Sequence, residues 1–253
     1  MTTPDTVIII ATNEIGYCEK ARAAYMADPS VLYTKTGGAG KDNITKYGYE
    51  MHQVYPLTMD QFSYWCDSFV DWCFYKAYGI ATAKSLLGGQ FDDWTKASAQ
   101  MYQKKNAWYT TNPVPGDQVF FKNSSGICHT GLVYKVDKRY IYTIEGNTSN
   151  NALLVSNGGC VARKKYPMNY KNIAGYGRPK YDVPATCVMG DINSDVTKLQ
   201  KALIKKGYSL PRYGADGDFG NETFVAVKRF RENNNIGSSG ICDAKCWEKL
   251  LWS

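Results

Sequence analysis

Only two histidines stand among the 253 residues of this chain, His52 and His129, beside eight cysteines. A cysteine nucleophile that needs an imidazole base must therefore draw on one of these two. Cys66 opens a run in which Cys66, Phe69, Val70, Cys73, Phe74 and Ala77 recur at helical spacing, so the sequence predicts a helix that starts at the thiol. Unpaired amides and the helix dipole at such a start favour the thiolate. A cysteine on an apolar helical face is as readily a small core residue. His129 opens a predicted strand with Gly131 two residues on, which leaves the neighbouring face open to a partner, whereas His52 lies in a predicted loop of mixed composition. Glu145 ends the next predicted strand and Gly146-Asn147 follows. If the two strands pair, Glu145 or Asn147 can accept a hydrogen bond from the imidazole and fix its tautomer. An exposed acid at a strand end is the plain alternative.

The elements that must position these groups divide into two sets. A helix is predicted over residues 15–27, then a Gly/Asn/Lys-rich loop over 35–50, then the helix from Cys66, closed by Gly79. Asp67, Ser68 and Asp71 fall off its apolar face. Beyond Pro113 and Pro115-Gly116-Asp117 the pattern turns to β, with strands predicted at 118–122, 130–136, 140–145, 152–155 and 160–165. Helices followed by an antiparallel sheet make an α+β domain over residues 1–180. Residues 181–190 read as a linker after the glycine-rich Gly175-Tyr-Gly-Arg-Pro179. Residues 191–253 read as a small three-helix domain, with stripes at Val196, Leu199, Leu203 and Ile204, at Phe224, Val227, Phe230 and Arg231, and at Trp247, Leu250 and Leu251.

Four motifs occur in order: Trp65-Cys66-Asp67-Ser68-Phe69-Val70-Asp71-Trp72, Pro115-Gly116-Asp117-Gln118-Val119-Phe120-Phe121, His129-Thr130-Gly131-Leu132-Val133 and Ile144-Glu145-Gly146-Asn147-Thr148. Residues 10–180 thereby resemble the CHAP family (cysteine, histidine-dependent amidohydrolases/peptidases), papain-like enzymes that cut peptidoglycan. The resemblance implies Cys66 as nucleophile and His129 as base, with Glu145 and Asn147 completing the site. The backbone amide of Cys66 is one candidate oxyanion donor; no side-chain donor is assigned. Trp65, Asp67, Tyr47 and Thr130 are the expected substrate contacts. Some members of the family bind calcium through an acidic loop. Asp42 and Asn43 are the upstream candidates here, at a spacing that is not diagnostic, so the reading calls for no cofactor and no metal.

The C-terminal stretch is similar to the peptidoglycan-binding-domain-1 family, on Val196-Thr-Lys-Leu199-Gln200, Gly207-Tyr208, Asp216-Gly-Asp-Phe-Gly220, Thr223, Ala226-Val227 and Phe230. Tyr208, Asp216, Asp218 and Phe219 are the expected wall contacts. Arg231 stands where the family usually has Gln, and Cys242 and Cys246 occupy the final turn. Asp191-Ile-Asn193-Ser-Asp195 starts like a calcium loop, but the sixth and twelfth positions are Val196 and Ala202 rather than Gly and Glu. Asn193 or Ser194 as a helix N-cap explains that stretch better.

Composition bounds the rest. Hydrophobic residues make up 44% and charged residues 21%, as in a folded protein. Twenty Tyr and six Trp suit contact with sugars or peptides, although Tyr also fills cores. A net charge of +7 attracts the chain to any polyanion, whether nucleic acid, an anionic membrane or an acidic wall, and the lack of a long basic run argues against nucleic-acid binding. The apolar run Val7–Ala11 is too short for a signal-peptide core and nothing reaches the length of a membrane span. The expectation is synthesis in the cytoplasm, action on the wall after release, and reduced thiols rather than a disulfide framework. These readings converge on a monomeric peptidoglycan hydrolase of the endolysin or autolysin kind, an N-acetylmuramoyl-L-alanine amidase. An endopeptidase of the stem or cross-bridge, a delivered toxin and a non-catalytic wall-binding protein are the alternatives.

Overall fold

A computed structural model describes residues 2–35, 41–149 and 157–252. It separates into two units, Thr2–Tyr181 and Asp182–Ser253.

The first unit begins with α1 (Pro4–Asn13), started by a proline at its first turn and burying Val7 and Ala11. The helix expected over 15–27 is confined to α2 (Arg22–Ala27). Residues 17–20 are extended instead, because Val161 N–H donates to the Tyr17 carbonyl and Glu19 N–H to that of Gly159. That pairing sets Cys18 opposite Cys160, and the two form a disulfide across 142 residues. The expectation of eight reduced thiols is corrected here. The other six cysteines are free.

A 3-10 turn (Pro29–Tyr33) precedes α3 (Lys46–Val54), which Thr45 caps by accepting from Gly48 N–H. The next helical segment, α4 (Cys66–Leu86), is two helices joined end to end: Gly79, at φ +73° and ψ 172°, closes the first as expected, and the second runs on to Leu86. Asp67, Ser68 and Asp71, expected off the apolar face, are buried with the rest of its first two turns. Neighbours cover this helix on several sides, since α1 and α3 pack on it as well as the sheet. A further helix, α5 (Thr95–Lys104), leads to a two-residue strand, β1 (Trp108–Tyr109).

The remaining strands are β2 (Gln118–Asn123), β3 (Gly126–Val136), β4 (Tyr140–Thr148), β5 (Cys160–Pro167) and β6 (Ile173–Gly177). They form one antiparallel sheet in the order β1-β6-β2-β3-β4-β5. The strand expected at 152–155 lies outside the described residues. The glycine-rich stretch that precedes residues 181–190 contributes to β6, where Gly177 admits the Tyr102 ring that a Cβ would strike at 2.2 Å. Val119, Phe121, Val133, Ile141, Tyr166 and Tyr176 make one core cluster of the sheet. Asp117 of the Pro-Gly-Asp turn is structural, with both carboxylate oxygens accepting from Arg178.

The second unit holds α6 (Ser194–Lys205), α7 (Asn221–Asn233) and α8 (Ala244–Trp252) around Leu199, Leu203, Phe219, Val227, Phe230 and Trp247. Asn193 is the N-cap of α6, accepting from the amides of Asp195 and Val196. Ile204, placed in the apolar stripe by periodicity, is 45% exposed. Residues expected as linker contribute to this core: Val183 packs on it, Cys187 pairs with Cys242, and the Ala185 carbonyl accepts from Trp247 Nε1. Arg231, the departure from the family pattern, is buried and donates to the carbonyls of Ile236 and Ile241 and to Asp243.

Candidate active site

Cys66 is the first residue of α4 and is 2% exposed. The residue before it, Trp65, occupies the N-cap position and offers no side-chain cap, so the first-turn amides keep their hydrogen-bonding capacity. The Trp65 ring is buried instead, stacked on Tyr47 at 5.4 Å, with Nε1 donating to Glu19 at 2.9 Å. Gly146 lets β4 lie flush against this helix start, since a Cβ there would meet Phe69 at 2.5 Å and Trp65 at 2.9 Å. These contacts fix the position of the thiol relative to the sheet.

The base sits on that sheet. His129 on β3 is fully buried, and its Nε2 lies 3.0 Å from Glu145 Oε2 on β4. Leu132 pairs with Ile144, so Glu145 falls beside Gly131 and reaches His129 diagonally across the two strands. The reach works only because residue 131 is glycine: a Cβ there would lie 2.4 Å from Glu145 Cγ. Glu145 also accepts from Thr143 Oγ1 at 2.5 Å and from Tyr166 OH at 3.2 Å. Three donors thus compensate a buried carboxylate. The second imidazole nitrogen, Nδ1, is buried without a hydrogen-bond partner in the protein, and the Cys66 thiol acts on the ring beside Glu145.

The charges follow from this geometry. Burial opposes the imidazolium, but the hydrogen bonds and charges of Cys66 and Glu145 outweigh it and bring His129 up to about 10. The site therefore favours a protonated ring between a carboxylate and a sulfur. Cys128 carries a second thiol nearby, but burial and the charge on Cys66 push it up, which makes it a poorer nucleophile.

Other expected site residues lie elsewhere. Asn147 does not reach the imidazole. A register shift between Glu145 and Thr148, with φ +53° at Asn147, turns its side chain to Gly159 N–H at 3.2 Å and to Asn43 at 3.4 Å. The four expected substrate contacts, Trp65, Asp67, Tyr47 and Thr130, are fully buried. Tyr47 donates to Glu14, Asp67 accepts from Gln118, and Thr130 donates to the Val119 carbonyl, so each is committed inside the fold. The exposed aromatics beside the nucleophile are Tyr64 and Trp94, at 60% and 59%. His52 is bonded to the Met59 carbonyl. Asp42 accepts from Arg22 N–H, and no group of three or more His, Cys, Asp or Glu side chains that could hold a metal occurs among the described residues. No helix among the described residues is long and apolar enough to cross a membrane.

In the second unit, Tyr208, Asp216 and Asp218 line a cleft of about 1000 Å³ with Arg212, Tyr213 and Glu222. Phe219 does not line it; it is fully buried in the core. Gln200 ties the cleft loop to α6 by donating to Asp216 and to the Asp218 carbonyl, and by accepting from Gly217 N–H.

Comparison with known proteins fits this division. Residues 58–147 match the CHAP domain, and residues 193–250 match the family described as "Putative peptidoglycan binding domain". N-acetylmuramoyl-L-alanine amidase CwlL of Bacillus licheniformis is 50% identical over 52 residues, 21% of this chain and 14% of that protein. A probable N-acetylmuramoyl-L-alanine amidase of the same organism is 46% identical over 52 residues, 21% of this chain and 15% of that protein. The type VI secretion system spike protein VgrG3 of Vibrio cholerae is 46% identical over 44 residues, 17% of this chain and 4% of that protein. The chain thus matches about one-seventh or less of the length of these curated relatives, and each matched stretch is far shorter than the unit Thr2–Tyr181. Cys66, His129 and Glu145 all fall inside the first matched segment and the cleft inside the second: the chain carries a CHAP domain over residues 58–147 and a peptidoglycan-binding domain over residues 193–250.

Proposed function

We propose that this chain is a peptidoglycan hydrolase that cuts the amide between N-acetylmuramic acid and L-alanine by acyl transfer through Cys66. The observation that carries the reading is the buried His129–Glu145 pair at 3.0 Å, with the Cys66 thiol at the start of α4 acting on the same ring. In the reaction the sulfur attacks the amide carbonyl and the π pair moves to oxygen. His129, protonated at neutral pH, passes its proton to the leaving amine as the tetrahedral adduct collapses. The neutral ring then activates a water that hydrolyses the thioester. Glu145 holds the ring and balances the imidazolium. The names of the two Bacillus relatives support the amidase bond over a peptide bond.

The second unit supplies the hold on the polymer. A cleft with tyrosine, arginine and carboxylate side chains offers ring faces to sugars and charge to stem peptides. Even weak binding there raises the effective concentration of Cys66 at an insoluble wall.

Mass spectrometry of purified peptidoglycan treated with wild type and with Cys66→Ala tests the reading. Free N-terminal L-alanine and stem-free glycan, formed by wild type alone, are expected. New termini inside the stem or cross-bridge would make the enzyme an endopeptidase. Absence of products on several wall chemotypes would refute hydrolysis.

A further inference from the structure

Behind the nucleophile stand three buried acids that the reaction above does not use: Asp67, Asp71 and Asp92. Their partners explain them. Asp71 Oδ2 accepts from Asp92 N–H at 3.0 Å, and Asp92 Oδ1 accepts from Trp94 N–H at 2.9 Å. Asp67, pushed up to about 7 by its burial, accepts from Gln118 of β2 at 2.8 Å. Asp71 and Asp92 together bind the start of α5 to the first turns of α4. What this fixes is Thr95, the first residue of α5, whose Oγ1 lies 3.6 Å from Cys66 Sγ while the residue is only 6% exposed.

Thr95 is preceded by Trp94 as Trp65 precedes Cys66, and α5, like α4, has no side-chain cap. Two uncapped helix starts therefore approach one sulfur, both presenting donors and the positive dipole end. A hydroxyl in contact with Sγ can reach the oxygen of a carbonyl bonded to that sulfur, because the two atoms share one carbon in the adduct. Building on the acyl-transfer reading, we propose that the Thr95 hydroxyl is the side-chain donor of the oxyanion site. It rests on Cys66 Sγ in the free enzyme and passes to the carbonyl oxygen when the S–C bond forms and the π pair moves onto that oxygen. When the pair returns and the leaving group departs, the hydroxyl returns to the sulfur side. Thr95 neither gains nor loses a proton.

Two small reagents separate this role from simple positioning. p-Nitrophenyl acetate acylates Cys66 through a tetrahedral oxyanion, whereas iodoacetamide alkylates it by direct displacement with none. Both rates are measured at Cys66 by peptide mapping, at one pH, for wild type, Thr95→Val and Thr95→Ser, after matched melting curves. Thr95→Val is expected to slow acylation about 10- to 100-fold and to leave alkylation within about threefold, with Thr95→Ser near wild type on both. Acylation within about threefold of wild type in Thr95→Val, or equal loss of both reactions, would overturn the proposal. Neither reagent depends on the wall. An enzyme that shows this pattern but releases nothing from peptidoglycan would refute the hydrolase reading and leave the assignment of Thr95 standing.

Discussion

Replacing Gly131 by alanine adds one methyl group, leaves every catalytic side chain in place in the sequence, and is expected to disable the site. The new Cβ would lie 2.4 Å from Glu145 Cγ and 3.0 Å from the Ile144 carbonyl oxygen. Ordinary contact begins near 3.4 Å, so Glu145 must withdraw by about 1 Å. Its bond to His129, 3.0 Å long, then stretches beyond hydrogen-bonding range. The imidazole loses the acceptor that sets its tautomer, and the displaced carboxylate strains its bonds to Thr143 and Tyr166. Losing the orienting acid of a comparable triad costs up to about 10⁴ in kcat, and overpacking a core costs about 1–3 kcal/mol. Gly131→Ala should therefore lower turnover about 10²- to 10⁴-fold and destabilise the fold by about 1–3 kcal/mol. Release of soluble fragments from purified walls reads the first and urea unfolding the second. Glu145→Gln supplies the control, because a methyl that acts through Glu145 costs little further activity once that carboxylate is gone. Wild-type turnover in Gly131→Ala, or simple additivity with Glu145→Gln, would refute the reasoning.

The remaining predictions concern the thiol, the imidazole and the second unit. Cys66→Ala and Cys66→Ser should abolish wall cleavage with the melting temperature nearly unchanged; more than a few per cent residual activity in Cys66→Ala would show that another group is the nucleophile. His129 is raised from its ordinary 6.5 to about 10, so its contribution to stability is complete below about pH 6.5 and lost as pH rises through about 10. The gap in unfolding free energy between wild type and His129→Gln should shrink over that window, and a gap constant from pH 6 to 11 would contradict the charge arrangement. Activity should share the alkaline limb, falling near pH 10 as the proton donor is lost. Removing residues 182–253 should leave cleavage of soluble muropeptides intact and weaken action on intact walls at least about tenfold, since the first unit has its own core. Equal loss on both substrates would mean that the second unit belongs to the active centre.

The candidate site was legible where chemistry is scarce and spacing is local. Two histidines left little choice of base, and a glycine two residues beyond His129 signalled the open face that Glu145 occupies. The strands could be read because their runs are rich in β-branched and aromatic residues and are bounded by turn residues. Long-range pairing was illegible: the segment around Tyr17 has helical composition, yet it lies extended because Val161 and Gly159 bind it. The same contact hid the disulfide, whose cysteines are 142 residues apart. Proximity to the nucleophile along the chain misled in the other direction. Trp65 and Asp67 are near Cys66 but face inward, because α4 is covered on several sides and its periodicity carries no exposed face at that end. Thr95, Thr143 and Tyr166 touch the site from elements whose local sequence holds no catalytic signal, and only packing reveals them.

The bond between Cys18 and Cys160 closes a covalent ring that contains Cys66, His129 and Glu145. A protease that cuts the chain once, anywhere between those cysteines, opens the ring without separating the nucleophile from its base. Both fragments remain one molecule, joined by the disulfide and by the antiparallel pairing of residues 16–19 with 159–161. Such a nicked enzyme runs as a single species until a reductant is added, and only then can its halves diffuse apart.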